Sequence, residues 1–211
     1  MAKKSSSGTV STTSSHRRGF AIPYLSIPRM RNSMHSQERS IRRDVLVDKR
    51  PLISSDLKIR PIPEGTIVHL LGHPHKPEGP DLGVLSVGAS SELRPVSPSQ
   101  WFLIADEVWG ADRHQVVANE LRPKYSSVDQ SHGRVRILLE GKHVGALLSK
   151  GSGADFSDAS FALGKAIVTL LGRITIHVTR LDQERWEIIV LRTLAESVYD
   201  DLIQMGGEFS A

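Results

Sequence analysis

Apolar and polar positions change their spacing several times along the chain, and each change marks a predicted element. Thr66 to Leu71 reads as a strand, and Leu82 to Val87 as a second. Between them His73 to Pro80 is rich in proline, which predicts an exposed irregular connection. Glu92 to Val96 and Trp101 to Ala105 form a strand pair across the turn Ser97-Pro98-Ser99-Gln100. Asp112 to Leu121 carries helical spacing, with Asp112 as cap and Val116, Val117 and Leu121 towards the core.

The pattern sharpens in the C-terminal half. In Arg134 to Glu140 the alternation of Val135, Ile137 and Leu139 marks a half-buried strand. A short helix from about Lys142 to Lys150 buries Val144, Leu147 and Leu148, and Gly151 ends it. Ala166 to Leu171, Ile174 to Leu181 and Trp186 to Leu191 are three more strands, joined at Gly172-Arg173 and at Asp182 to Arg185. The last is apolar at both parities, so it is predicted to be covered on both faces and central in its sheet. A final helix, Thr193 to Met205, repeats Leu194, Val198 and Leu202 on one stripe with Ala195, Tyr199 and Ile203 beside it, and Gly206-Gly207 stops it.

This order predicts an α+β fold, a mainly antiparallel sheet covered by helices. Strands and helices do not alternate as in a doubly wound sheet, which argues against a Rossmann cofactor site.

Ahead of Ile62 the pattern lapses. Residues 1–60 are expected to form a basic, Ser/Arg-rich tail, largely disordered alone, and residues 61–211 the domain. Three readings fit these residues: a flexible tail or residues translated ahead of the true start, an organelle transit sequence, or an arm that orders on an acidic partner. Phe20-Ala-Ile-Pro-Tyr-Leu-Ser-Ile-Pro28 would anchor such an arm. Residues 1–50 hold 11 Lys or Arg against 3 Asp or Glu, and the rest of the chain holds 16 against 20. The net charge of +4 therefore belongs to the tail, and the mildly acidic body is not expected to bind nucleic acid.

The chain has no cysteine, which removes disulfides, thiolate nucleophiles and cysteine-ligated metal. A reducing cytoplasm is permitted, and a cytoplasmic location is expected. No stretch approaches the ~20 consecutive apolar residues of a spanning helix, so no membrane partner is expected.

Lys150-Gly-Ser-Gly-Ala-Asp155 is the nearest approach to a phosphate-cradling turn, yet it follows a helix and lacks the third glycine. His69, His73 and His75 do not match a zinc spacing, and surface histidines in a Pro-rich loop explain them as well. Asp129, Ser131 and His132 supply the residue types of a hydrolase triad, but neighbouring strand positions point to opposite faces. Asp129 and Ser131 are expected to bond backbone amides where a loop enters a strand. Trp101, Trp109 and Trp186 are too scattered to stack bases, and Trp101 and Trp186 are expected in the core or at a subunit contact. No catalytic, cofactor-binding or metal residue is therefore assigned.

Several segments together carry a resemblance. Val128-Asp-Gln-Ser-His-Gly-Arg134, Ile137-Leu-Leu-Glu-Gly141 and Ala146-Leu-Leu-Ser-Lys-Gly151 resemble the gamma subunits of heterotetrameric sarcosine oxidases. The likeness continues through Ala154-Asp-Phe156, Phe161-Ala-Leu-Gly164, Thr169 and Trp186 to Arg192, and ends in Leu194-Ala-Glu-Ser-Val-Tyr-Asp-Asp-Leu202. Upstream, Leu93-Arg-Pro-Val-Ser-Pro-Ser-Gln-Trp-Phe-Leu103 resembles the same family, so the likeness spans about Ile62 to Met205. Asp129 to Leu148 is more distantly similar to the glycine-cleavage T-protein and related folate-binding proteins.

The resemblance implies a complex of four different chains, with alpha, beta and delta subunits as partners. FAD, FMN, NAD, zinc and tetrahydrofolate would sit on those other subunits and none on this one. The complex would demethylate sarcosine oxidatively to glycine with one-carbon transfer to tetrahydrofolate. This chain would be a structural, non-catalytic member. A gamma-type subunit of an N-methylglutamate dehydrogenase and a stand-alone folate-binding module are the alternatives.

Overall fold

The structure, a computed structural model, describes residues 44–73 and 78–209. The expected tail up to residue 43, its Phe20–Pro28 anchor and His75 lie outside the described residues.

The elements in chain order are β1 (Leu52–Ile53), β2 (Lys58–Pro61), β3 (Thr66–Gly72), β4 (Glu92–Ser97), β5 (Gln100–Ala105), α1 (Ala111–Leu121), β6 (Tyr125–Asp129), β7 (Arg134–Glu140), α2 (Val144–Gly151), β8 (Ala166–Leu171), β9 (Ile174–Asp182), β10 (Arg185–Leu191) and α3 (Ala195–Gly206). Their strands form two sheets, one of six strands ordered β1-β2-β7-β10-β9-β8 and one of four ordered β4-β5-β3-β6. Every pairing is antiparallel, and the fold is α+β as expected.

Period-2 alternation sorts the side chains into layers. Val135, Ile137 and Leu139 of β7, with Trp186, Ile188 and Val190 of β10, face α2 and α3 and build the largest core. Val144, Leu147, Leu148, Val198, Tyr199 and Leu202 fill it from the helices. On the small sheet Val68, Leu70, Trp101 and Leu103 pack against Val117 and Leu121 of α1. Ile67, Phe102 and Ile104 meet Ile189 from the large sheet in a third cluster. The layers are therefore helices, large sheet, small sheet, helix, and the two sheets share an inner seam.

Several elements differ from expectation. Strands begin at Leu52, ahead of Ile62, and Leu57 and Ile59 are fully buried. Ile59 pairs with Leu139 in register, so the large sheet recruits a segment whose own periodicity is too short to read. Leu82 to Val87 is not a strand: Leu82–Val84 is a 3-10 turn capped by Asp81, whose carboxylate accepts from the Gly83 amide at 2.9 Å. Helix α1 is capped by Gly110 with no side-chain cap; Asp112 lies in its first turn and Val116 is 46% exposed. Strand β6 had no sequence signal, because Ser126, Ser127 and Asp129 break the apolar pattern. Strand β7 is buried on both faces, not one, since the small sheet covers the side that carries Arg136 and Leu138.

Candidate functional site

The inner seam holds buried charge. Glu187 of β10 is fully buried in mid-strand, and Arg136 of β7 donates from Nε to its Oε1 at 2.8 Å. A second guanidinium nitrogen of Arg136 donates to Asp106 at 2.8 Å. Arg94, reaching in from β4, lies 2.5 Å from Glu92 and 3.4 Å from Glu187. Burial pulls the Arg136 pKa down, but the charge of Glu187 and the bonds to Glu187 and Asp106 outweigh it and hold the guanidinium above its usual value.

These residues line an open cleft of about 540 Å³ between the sheets. Its lining includes Arg60, Arg94, Arg136, Arg180 and Arg185 together with Glu92, Asp106 and Glu187. Arg180 is itself tied down, 2.5 Å from Asp158 and donating to the carbonyls of Phe161 at 2.7 Å and Gln183 at 2.9 Å. Glu187 is shared by guanidinium groups from both sheets, Arg136 of the large one and Arg94 of the small one, so this network orders the sheets against each other.

At the far end of the seam the aromatic ring of Phe102 is surrounded by polar side chains. Arg134 stacks over it with the guanidinium carbon 4.7 Å from the ring centroid, and His69 and His177 lie 5.1 and 5.3 Å away. His177 is buried and its Nε2 lies 2.9 Å from the carbonyl of Pro95, which ties β9 to β4. Burial pushes the His177 pKa down, against the pull of the Pro95 carbonyl and Glu187.

The residues singled out by sequence fall apart in space or serve the backbone. His69 Nε2 lies 3.1 Å from Gln100 Oε1, and the His73 amide donates to Lys124 at 3.0 Å. Among the described residues no cluster of three or more His, Cys, Asp or Glu side chains could hold a metal. Ser131 donates through its amide and its hydroxyl to Asp129 Oδ1, at 2.8 and 2.6 Å, and its oxygen accepts from the Ile67 amide at 3.0 Å. His132 is exposed. Burial would raise the Asp129 pKa, yet the Ser131 bonds hold it below the usual carboxylate value. The Gly151–Asp155 loop leaves the C-terminus of α2, the wrong end of a helix for an anion, and the Gly151 carbonyl accepts from Gly172 at 2.6 Å. Trp101, Trp109 and Trp186 are all buried. No helix among the described residues is long and apolar enough to cross a membrane.

Sequence reading missed Arg94, Arg136 and Glu187. The signal was present: Glu187 interrupts a strand predicted to be covered on both faces, and a charge in such a strand demands a partner. Arg136 was hidden because its strand read as half-buried, which assigns a charged residue to solvent.

Fold and seam together define a two-sheet α+β domain whose inner charges are largely paired among themselves. The model of the sarcosine oxidase gamma subunit family, SoxG, matches residues 75–207, and the chain belongs to that family. A chain of the heterotetrameric sarcosine oxidase from Corynebacterium sp. U-96, in complex with pyrrole 2-carboxylate, is similar in fold, with a TM-score of 0.67 and 21% identity over 81% of this chain and 97% of that one. Aminomethyltransferase T of the glycine cleavage system from Bartonella henselae is matched with a TM-score of 0.47 and 14% identity, over 71% of this chain and 46% of that one. No curated protein matches the sequence.

Proposed function

We propose that this chain is the non-catalytic gamma-type subunit of a heterotetrameric sarcosine oxidase, a folded wedge that stabilises the alpha, beta and delta chains. The observation that carries the reading is the extent of the family match: residues 75–207 take in seven of the ten described strands, β4 to β10, and all three helices. The seam supports it, because Glu187 pairs with Arg136 of the large sheet and Arg94 of the small one and so ties the two sheets together. FAD, FMN, NAD, zinc and tetrahydrofolate belong to the companion chains, and the assembly acts in the cytoplasm, oxidising sarcosine to glycine and passing on its one-carbon unit.

Co-expression of the full-length chain with its genomic neighbours tests this. A stable assembly with flavin absorbance that turns over sarcosine is the expected result. Turnover of any N-methyl amino acid by the isolated chain would overturn the non-catalytic role. A flavin-bearing assembly that prefers N-methylglutamate would reassign the substrate while leaving the subunit role intact.

A further inference from the structure

We propose that the end of the large sheet around Arg134 is the docking surface for a companion subunit, which places an aspartate or glutamate side chain on Arg134 within an apolar contact. This rests on the subunit reading above and names the surface that serves it.

Most other arginines that line the seam or its borders are neutralised within the chain. Arg136 is held by Glu187 and Asp106, Arg94 by Glu92, Arg180 by Asp158 and Arg192 by Glu64. Arg134 is not. Its Nε is buried without a hydrogen-bond partner, and its guanidinium rests on the face of Phe102. The groups around that ring, His69 and His177, bring no negative charge. Burial accordingly draws the Arg134 pKa below its ordinary value, with no acid to offset it. A half-buried cation of this kind is costly until an anion meets it.

The surroundings show what kind of anion fits. Leu191 stands beside Arg134 in register, and Leu170 is paired with Thr175 and Val168 with His177 further along the same sheet. Alternation puts Arg134, Leu191, Leu170 and Val168 on the face turned towards the small sheet. Strand β4 crosses that face at His177, where Pro95 meets the imidazole. Val168, level with the crossing, is 48% exposed, and Leu170 and Leu191 beyond it are 51% and 42% exposed. An apolar strip with one unpaired guanidinium matches a protein segment that offers apolar side chains around a single carboxylate, and suits a small free anion poorly.

The test compares Arg134→Met, Arg134→Lys and Leu170→Asp with wild type in the full-length chain, measuring affinity for the co-expressed companion chains. Arg122→Met, an exposed change just after α1, is the control. Arg134→Met is expected to weaken association roughly thirtyfold or more, Arg134→Lys less, Leu170→Asp clearly, and the control not at all. The melting temperature of isolated Arg134→Met should equal or exceed wild type, because an unpaired buried charge is removed. Should Arg134→Met fail to fold, Leu170→Asp at its exposed position decides alone. Assembly of both variants at wild-type affinity would overturn the surface and spare the subunit reading. Failure of the wild-type chain to associate would overturn both. If acetate raised the melting temperature of the wild-type chain but not of Arg134→Met, with assembly unaffected, the anion would be a free carboxylate and the docking assignment would be wrong.

Discussion

Arg136 and Glu187, on neighbouring strands of the large sheet, form a 2.8 Å ion pair on the face that meets the small sheet. Both side chains are withdrawn from solvent, at 8% and 0% exposure. The pair therefore bridges the strands inside a layer that is otherwise apolar, with Ile189 and Leu138 buried beside it. Such a pair adds little net stability over apolar residues of the same shape, but each partner depends strongly on the other.

Glu187→Ala should accordingly lose about 3–5 kcal/mol of stability, since it strands Arg136 and removes one partner of Arg94. Combining Arg136→Met with Glu187→Leu should recover most of the loss. Urea unfolding of the two variants measures both values, and equal losses in single and double variants would contradict the coupling.

The His177 imidazole carries a pH dependence whose sign follows from its burial. Its folded pKa lies below the ordinary 6.5, so on acidification the unfolded chain takes up the proton first. Stability is full above the unfolded value and falls as pH drops below it, towards the folded value. His69, lowered by burial as well, acts in the same direction. Melting temperature should decline between about pH 7 and pH 5, and His177→Gln should make that slope shallower. An unchanged slope in the variant would show that other groups dominate.

Much of this fold was legible because long runs with clean periods leave little freedom. The antiparallel run of β8, β9 and β10, the core stripe of α3 and the strand pair at Trp101 were all visible from spacing alone. Strand β2 was not, because four residues with Pro61 among them carry no period of their own; they become a strand only when Ile59 meets Leu139 across the sheet. The second sheet was equally hidden, since alternation tells which residues share a face and not what covers it. The seam's charges followed the same rule: Arg136 looks like a solvent-facing arginine until the small sheet is placed over it.

Gly141, which closes one of the segments that suggested the family, has a physical reason to be glycine. Its φ is +120°, and an added Cβ would fall on the Asp56 carbonyl oxygen. Gly141→Ala should destabilise the chain by about 1–3 kcal/mol, through both backbone strain and the displaced Asp56 loop. Gly153→Ala, where φ is ordinary and the space is open, is the matched comparison and should be nearly silent. Thermal melts of the two proteins distinguish a conformational requirement from a general intolerance of side chains in these loops.

Two aliphatic residues exchange the roles that sequence assigned to them, and their truncation measures the exchange. Ile59 falls in the expected tail yet is fully buried in the main core beneath α3, while Val116 was expected in the core yet is 46% exposed on α1. Ile59→Ala removes methylene groups from a packed interior and leaves a cavity, so it should cost about 2–5 kcal/mol. Val116→Ala exchanges an exposed β-branched residue for a better helix former and should stay within about 0.5 kcal/mol of wild type. Deleting residues through 61 should go further than either substitution. It removes β1 and β2, bares the edge of β7 and exposes the core that Leu57 and Ile59 cover, so the shortened chain should aggregate on expression. A soluble, cooperatively melting product from that deletion would place the start of the domain at Ile62 after all.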